Sequence, residues 1–371
     1  MVDLKGQYNK IKDQIDTAVI QTIESTSFIN GPIVREFSKS LEKYLGVKHV
    51  IPCANGTDAL QIALMALSLK PGDEVICPSF TYVATAEVIS LLGLTPVMSD
   101  VDPNTFNITA EIIKPLITTK TKVIVPVHLF GQSCDMEEIM NLADEFGLYV
   151  IEDNAQAIGA EYTFSDGAVK NTGTIGHIGT TSFFPSKNLG CYGDGGAMFS
   201  NDDKIAKNLK MIANHGQELK YFHKVTGCNS RLDSIQAAIL NIKLNHLDSY
   251  SLERNKMAKN YDENFSEIPE LSVPKRQYNS THVFHQYTLK VIPEIRSSLI
   301  DFLTENKIPV MIYYPVPLYK QEAFSKYVSS DFNIANVENL CATVFSLPIH
   351  TEYENSSQEF IIKKVKEFFN K

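Results

Sequence analysis

Positive charge is in short supply in this chain. Its 371 residues carry 34 Lys and Arg against 43 Asp and Glu, a formal net charge of −9. That deficit weighs against nucleic acid or an anionic membrane as the main partner, because both call for a basic surface. It leaves room for an anionic small molecule in a locally positive pocket. Cysteine is sparse as well. Cys53, Cys77, Cys134, Cys191, Cys228 and Cys341 are widely scattered and form no C-x-x-C pair, so neither a disulfide framework nor a zinc site is expected. Free thiols in a reducing cytosol fit better. No stretch approaches about twenty uninterrupted apolar residues, which argues against a membrane span. Met1-Val2-Asp3-Leu4-Lys5-Gly6 lacks the apolar run of a signal peptide, so a cytoplasmic protein is expected. His49, His128, His177, His215, His223, His246 and His350 stand singly. His282 and His285, three apart on an expected strand, would face opposite ways. No catalytic metal is expected. Internal repeats and low-complexity linkers are missing too.

What is there is an ordinary globular composition, 44% hydrophobic and 21% charged, with length for about two domains and a large core. Residues 7–26 show helical spacing (Ile11, Ile15, Ala18, Val19, Ile23), broken by Asn30-Gly31-Pro32. A second helix carries Val34, Phe37, Leu41 and Leu45 on one face. From 49 to about 240, strands alternate with helices. Strands are expected at His49–Cys53, Glu74–Cys77, Thr95–Ser99, Val123–Pro126 and Tyr149–Glu152. Helices are expected at Thr57–Leu69, 82–92 and 135–146. This alternation predicts a mainly parallel α/β sheet flanked by helices, with the site at the strands' C-terminal ends. A long helix over 232–263 leads to a smaller α+β lobe with a strand at Val283–Val291 and helices at Ile295–Asn306 and Phe360–Phe369. The expected division is a large domain, 1–250, and a small one, 251–371.

Lys187 is the most informative residue. Thr181-Ser182-Phe183-Phe184-Pro185-Ser186-Lys187 puts it just past a strand end, before the turn Gly190-Cys191-Tyr192-Gly193-Asp194-Gly195-Gly196. Upstream, Tyr149-Val150-Ile151-Glu152-Asp153 ends a second strand, with Gln156 three residues on. A lone loop lysine is ordinarily just solvated. A lysine on one strand end and an acid on another, however, are what pyridoxal phosphate (PLP) chemistry needs: a Schiff-base amine and a partner for the ring nitrogen. Asp153 would keep that nitrogen protonated, Gln156 could bond the ring hydroxyl, and the freed Lys187 amine could shuttle a proton. Otherwise Asp153 is a helix cap and Gln156 a surface residue.

Other segments bear on a phosphate or a substrate. Asn55-Gly56-Thr57-Asp58 follows a strand and opens a helix, a geometry that binds phosphate or is a plain N-cap. Ser182 is a further phosphate donor or a strand hydroxyl bonded to backbone. In Cys77-Pro78-Ser79-Phe80-Thr81-Tyr82 one aromatic could stack on a ring, and core packing is preferred for Phe80. In Cys228-Asn229-Ser230-Arg231-Leu232-Asp233, Asn229 and Arg231 could reach an anion, or form a cap and a surface pair with Asp233. Tyr313 and Tyr314, before Pro315-Val316-Pro317, could line a sugar or nucleotide pocket, or sit at a domain seam.

Taken together and in order, these segments resemble the DegT/DnrJ/EryC1/StrS family of PLP-dependent sugar-nucleotide aminotransferases, over about residues 3 to 350. The matching motifs are Asn55-Gly56-Thr57, Glu152-Asp153-x-Ala155-Gln156, Ser182-x-x-x-x-Lys187 and Asn229-x-Arg231-x-Asp233. The resemblance implies a fold-type I aminotransferase that works as a homodimer and takes its amine from L-glutamate, with pyridoxamine phosphate as the intermediate form. It implies that Lys187 holds PLP, Asp153 pairs with the ring nitrogen and Gln156 meets the ring hydroxyl. Tyr82 would stack, and Gly56, Thr57 and Ser182 would bind the phosphate. Asn229 would reach that phosphate across the dimer, with Arg231 near the nucleotide sugar. The stretch Pro185 to Gly196, with Ala213-Asn214-His215-Gly216-Gln217, is most similar to enzymes that aminate a UDP-2-acetamido-2-deoxy-3-oxo-glucuronate for O-antigen and other surface polysaccharides. One departure is Tyr313-Tyr314-Pro315, where the family often has His-Tyr-Pro. The rivals are amination of a dTDP-3-keto-6-deoxyhexose, amination at C4, and, in another class, a non-catalytic regulator. Dehydratase relatives replace the lysine with histidine, which Lys187 argues against.

Overall fold

The computed structural model describes residues 2–328 and 334–370. Five strands come first: β1 (His49–Cys53), β2 (Glu74–Pro78), β3 (Thr95–Ser99), β4 (Thr121–Ile124) and β5 (Tyr149–Asp153). A hairpin of β6 (Glu161–Thr163) and β7 (Val169–Asn171) precedes β8 (Ile178–Ser182) and β9 (Gly196–Ser200). Seven of these form one sheet in the order β1-β9-β8-β5-β4-β2-β3. Only β9 runs against its neighbours, so the other six strands end on one edge. The sequence dictates this arrangement. Successive residues Val75-Ile76-Cys77 of β2 and Val150-Ile151 of β5 are all fully buried. Neighbours on a strand face opposite sides, so helices must cover both faces, as in parallel sheets. The helix Gly56–Ala66 is one such cover, with Ala59, Leu60, Ile62, Ala63, Leu64 and Ala66 buried.

Several expected boundaries move. Residues 7–26 fall in two helices, Leu4–Lys10 and Lys12–Glu24, which meet at Ile11. The long helix expected over 232–263 is also two, Ser234–Leu244 and Leu247–Phe265. The first packs Ala237, Leu240 and Leu244 with Phe37 and Leu41, whereas the second buries Met257, Ala258, Tyr261 and Phe265 in a separate core. Leu247, the first residue of the second helix, still lies in the first core, so the chain passes from one core to the other within that helix. The strand expected from Val283 begins only at Tyr287, because Phe284 has a φ of 47°, outside extended geometry. His282 and His285 therefore lie ahead of the strand. His282 stacks on Phe284 with ring centroids 3.7 Å apart.

The remaining strands are a hairpin, β10 (Gln217–Leu219) and β11 (Phe222–His223), and a three-stranded sheet of β12 (Leu271–Ser272), β13 (Tyr287–Val291) and β14 (Val344–Leu347). The small sheet packs with the helices Pro293–Glu305 and Asn355–Phe369 around Tyr287, Leu289, Leu299, Leu303, Phe345 and Val365. Among the described residues no helix is long and apolar enough to cross a membrane.

Candidate active site

Strand register assembles the first part of the site. Cys53 at the end of β1 pairs with Gly196, and Ser182 at the end of β8 pairs with the same glycine from the other side. The turn after β1 is thereby pressed against β8. A Cβ on Gly56 would lie 2.7 Å from Ser182 Cβ, and one on Gly196 would lie 2.5 Å from the Asn55 carbonyl carbon and 2.9 Å from Gly56 N. Real contacts are never that short, so both positions demand glycine. Asn55 caps the following helix through its side-chain oxygen, which accepts from Asp58 N at 2.8 Å. The first-turn N–H groups of Gly56 and Thr57 have no carbonyl earlier in the helix to bond. They, the Thr57 hydroxyl and the adjacent Ser182 hydroxyl form a cradle of donors that suits a phosphate.

β5 supplies the second part. Asp153 is buried, and its Oδ2 accepts from Thr85 Oγ1 at 2.8 Å. Its Oδ1 accepts from Ala155 N at 3.2 Å. Gln156 is fixed at both ends of its amide: Oε1 accepts from Phe130 N at 2.8 Å and Nε2 donates to the Tyr314 hydroxyl at 3.2 Å. Burial pushes the Tyr314 hydroxyl well above its usual pKa. Gln156 opposes that rise, and the nearby Asp153, Tyr313 and Tyr82 reinforce it.

Lys187 lies in the turn between β8 and β9, its amide donating to Phe184 O at 2.8 Å. Burial pulls its amine down to about 8, with the Asp153 charge opposing. A lysine near 8 holds a sizeable neutral fraction close to neutral pH, as an amine nucleophile requires. The turn is braced from behind by the buried Lys243, whose ammonium donates to Gly190 O at 2.5 Å. A Cβ on Gly190 would lie 2.4 Å from Pro185 O, so the Gly-rich turn is folded tightly on itself.

The structure thus brings Gly56, Thr57 and Ser182 together, and Lys187, Asp153, Gln156, Tyr314 and Tyr82 together. Tyr82 is 59% exposed, whereas Phe80 is 1% exposed and packs against Phe106, Phe130 and Tyr314. Tyr313 is half-buried and shares a side-chain hydrogen bond with Gln286. Asn229 is exposed and Arg231 half-buried. Among the described residues neither makes an ion pair or hydrogen bond to the Lys187 centre, and no Arg231–Asp233 pair forms. Ser230, between them, is tied to the cradle: its hydroxyl donates to Asp58 Oδ2 at 2.6 Å and accepts from Ala54 N at 3.0 Å. Thr85 and Ser230 were not legible as site residues, since each is a common hydroxyl whose partner is far along the chain.

The residues present fit PLP: a cradle of N–H and hydroxyl donors closed by glycines at 56 and 196, a lysine with a lowered pKa, and a buried carboxylate close enough to feel the lysine charge. The DegT/DnrJ/EryC1/StrS aminotransferase family model matches residues 9–366. The chain belongs to this family.

The aminotransferase is 43% identical over 361 residues to the UDP-2-acetamido-2-deoxy-3-oxo-D-glucuronate aminotransferase of Pseudomonas aeruginosa, covering 97% of each chain. It is also 43% identical to a pleiotropic regulatory protein of Geobacillus stearothermophilus, over 100% of this chain and 98% of that one. Among solved structures, S. venezuelae DesV in complex with a ketimine intermediate superposes with a TM-score of 0.95 at 34% identity, covering 100% of this chain and 98% of that one. Bacillus subtilis NtdA with bound pyridoxamine phosphate gives 0.90 at 30%, covering 98% and 83%. The fold is that of the fold-type I PLP aminotransferases. The protein is a PLP-dependent transaminase.

Proposed function

We propose that the aminotransferase moves the amino group of L-glutamate to the 3-keto carbon of a nucleotide sugar, UDP-2-acetamido-2-deoxy-3-oxo-glucuronate, for surface polysaccharide (O-antigen or capsule) synthesis in the cytoplasm. The observation that carries this reading is the Lys187–Asp153–Gln156 centre, intact in a chain similar along its whole length to the Pseudomonas aeruginosa enzyme. Bound PLP supplies an electrophilic carbon for the amino group and a protonated ring that draws in electron density. Gly56, Thr57 and Ser182 bind its phosphate. Asp153 holds the proton on the ring nitrogen, Gln156 meets the ring hydroxyl, and Tyr82 covers the ring face. Lys187 anchors the cofactor and carries a proton at Nζ. Arg231, Tyr313 and Tyr314 meet the sugar nucleotide. The working unit is a homodimer in which Asn229 reaches the partner's phosphate. The large domain is 1–250 and the small one 251–371.

A regulator without turnover is the reading that the Geobacillus relative's name raises. The lowered pKa of Lys187 beside a buried carboxylate favours the enzyme. The test is a panel of keto sugar nucleotides generated in situ, with glutamate as donor and the amino sugar detected by mass. Product from the 3-keto uronate is expected. Product only from a dTDP-3-keto-6-deoxyhexose or a 4-keto sugar would replace the substrate. Lys187→Ala should lose both turnover and the lysine-linked cofactor absorbance.

A further inference from the structure

Behind Asp153 lies a polar unit that the proposed chemistry does not use. Glu152 and His128 are both fully buried, and His128 Nε2 is 2.8 Å from Glu152 Oε2. Cys134 N donates to His128 Nδ1 at 3.1 Å, so Nδ1 is an acceptor and the ring proton sits on Nε2, facing Glu152. Glu152 accepts three further N–H groups, from Gly173 at 2.7 Å, Ile175 at 2.7 Å and Gly176 at 2.6 Å. Four N–H donors surround this carboxylate. Such a saturated buried group is rigid, and removing one partner is expensive.

The unit grips the site residues at two points. His128 N donates to Asp153 O at 3.1 Å, and Asp153 N to Pro126 O at 2.9 Å. His128 therefore ties the side chain of Glu152, through its ring, to the backbone of Asp153, through its own N–H, and the Asp153 side chain faces the opposite side of the sheet. Two residues after His128, Phe130 N donates to Gln156 Oε1. One short segment, 128–130, thus sets the position of both Asp153 and Gln156.

We infer that the buried His128–Glu152 pair is a positioning device that fixes Asp153 and Gln156 against the cofactor ring. This rests on the ring-contact roles proposed above for those two residues. His128 and Glu152 touch neither cofactor nor substrate, so their removal acts through geometry.

The test uses the PLP-loaded enzyme, with rates normalised to folded, cofactor-bearing protein. Glu152→Gln swaps one carboxylate oxygen for an NH2 that opposes two N–H donors, because each oxygen accepts two. It should lower kcat about ten- to a hundredfold with KM for glutamate changed less than about twofold, and shift the pH dependence of the bound cofactor's absorbance. His128→Leu should do the same. His128→Gln, which keeps a donor toward Glu152, should recover most of the loss. Wild-type kcat and spectra in Glu152→Gln overturn the proposal. So does a deficit that vanishes on normalisation, which marks a merely structural role. If Glu152→Gln does not fold, the His128 variants decide, and equal activity of His128→Gln and His128→Leu overturns it. Asp153→Asn is the control. An active Asp153→Asn enzyme overturns the role of Asp153 and the proposal with it; an inactive one beside a normal Glu152→Gln overturns the proposal alone.

Discussion

The Thr85 hydroxyl donates to Asp153 Oδ2 at 2.8 Å, and both residues are buried. Thr85 stands on the helix after β2 and Asp153 at the end of β5, so the bond links two strand ends across β4. A hydrogen bond to a charged group contributes about 1.5–3 kcal/mol. Thr85→Val keeps the shape and removes the donor. The expected result is a fall in kcat/KM of about ten- to a hundredfold, together with a melting temperature lower by a few degrees because the buried carboxylate loses its donor, read from steady-state kinetics and a thermal melt.

The glycine cradle gives a second prediction. In Gly56→Ala the new methyl meets Ser182 Cβ at 2.7 Å and Ser182 Cα at 3.2 Å, so the turn after β1 and the end of β8 must part. Overpacking of this kind costs about 1–3 kcal/mol. Phosphate donors on both sides move with it. PLP affinity should fall more than stability does, measured by cofactor titration and by melting the cofactor-free protein. Ser182→Ala, which removes a donor without a clash, should weaken PLP binding more than stability, which loses only the exposed acceptor for Phe184 N.

The amine of Lys187 supplies a pH prediction. Its pKa is lowered to about 8 by burial, so in the cofactor-free protein the reactive neutral amine should grow in with a midpoint near 8. Capture of PLP, fixed by borohydride at each pH, reports this. The Asp153 charge raises the lysine pKa, so Asp153→Asn should move the midpoint lower. For stability the sign follows from proton counting. Between about 8 and the usual lysine value the unfolded chain binds the extra proton, so this group makes folding more favourable as pH rises through that window.

How much of this was legible in the sequence depends on distance along the chain. Lys187 and Asp153 each announce themselves locally, as a charged residue at the end of an apolar run. The parallel sheet was legible because strands alternate with helices from 49 to about 240. The Thr85–Asp153 bond spans 68 residues and leaves no local trace. The break between Leu244 and Leu247 was hidden because helical spacing reads through it, with Leu244 and Leu247 both buried in one core. Phe284 carries no glycine or proline signal for its positive φ, so the strand start was set too early. Asn229 and Arg231 were singled out by type and spacing, and among the described residues neither makes a hydrogen bond or ion pair to the Lys187 centre; Asn229 instead forms a backbone bridge with Asn214.

Arg254 carries the last prediction. It is buried, and burial lowers its pKa to about 10, so it stays charged at neutral pH. Its Nη1 donates to Phe284 O at 3.0 Å and Ile349 O at 3.1 Å. These carbonyls flank the small sheet, and Arg254 comes from the helix Leu247–Phe265, so one guanidinium pins three segments. Arg254→Met fills similar volume and leaves both carbonyls without that donor. Each unsatisfied buried acceptor costs about 1–3 kcal/mol, offset by no longer burying a charge. A net loss of about 2 kcal/mol is expected, seen as a lower urea midpoint at unchanged slope. Arg254→Lys should fall between, because an ammonium can donate to both carbonyls only by giving up the guanidinium's reach. A methionine variant as stable as the wild type would mean that water or backbone movement satisfies Phe284 and Ile349 without the arginine.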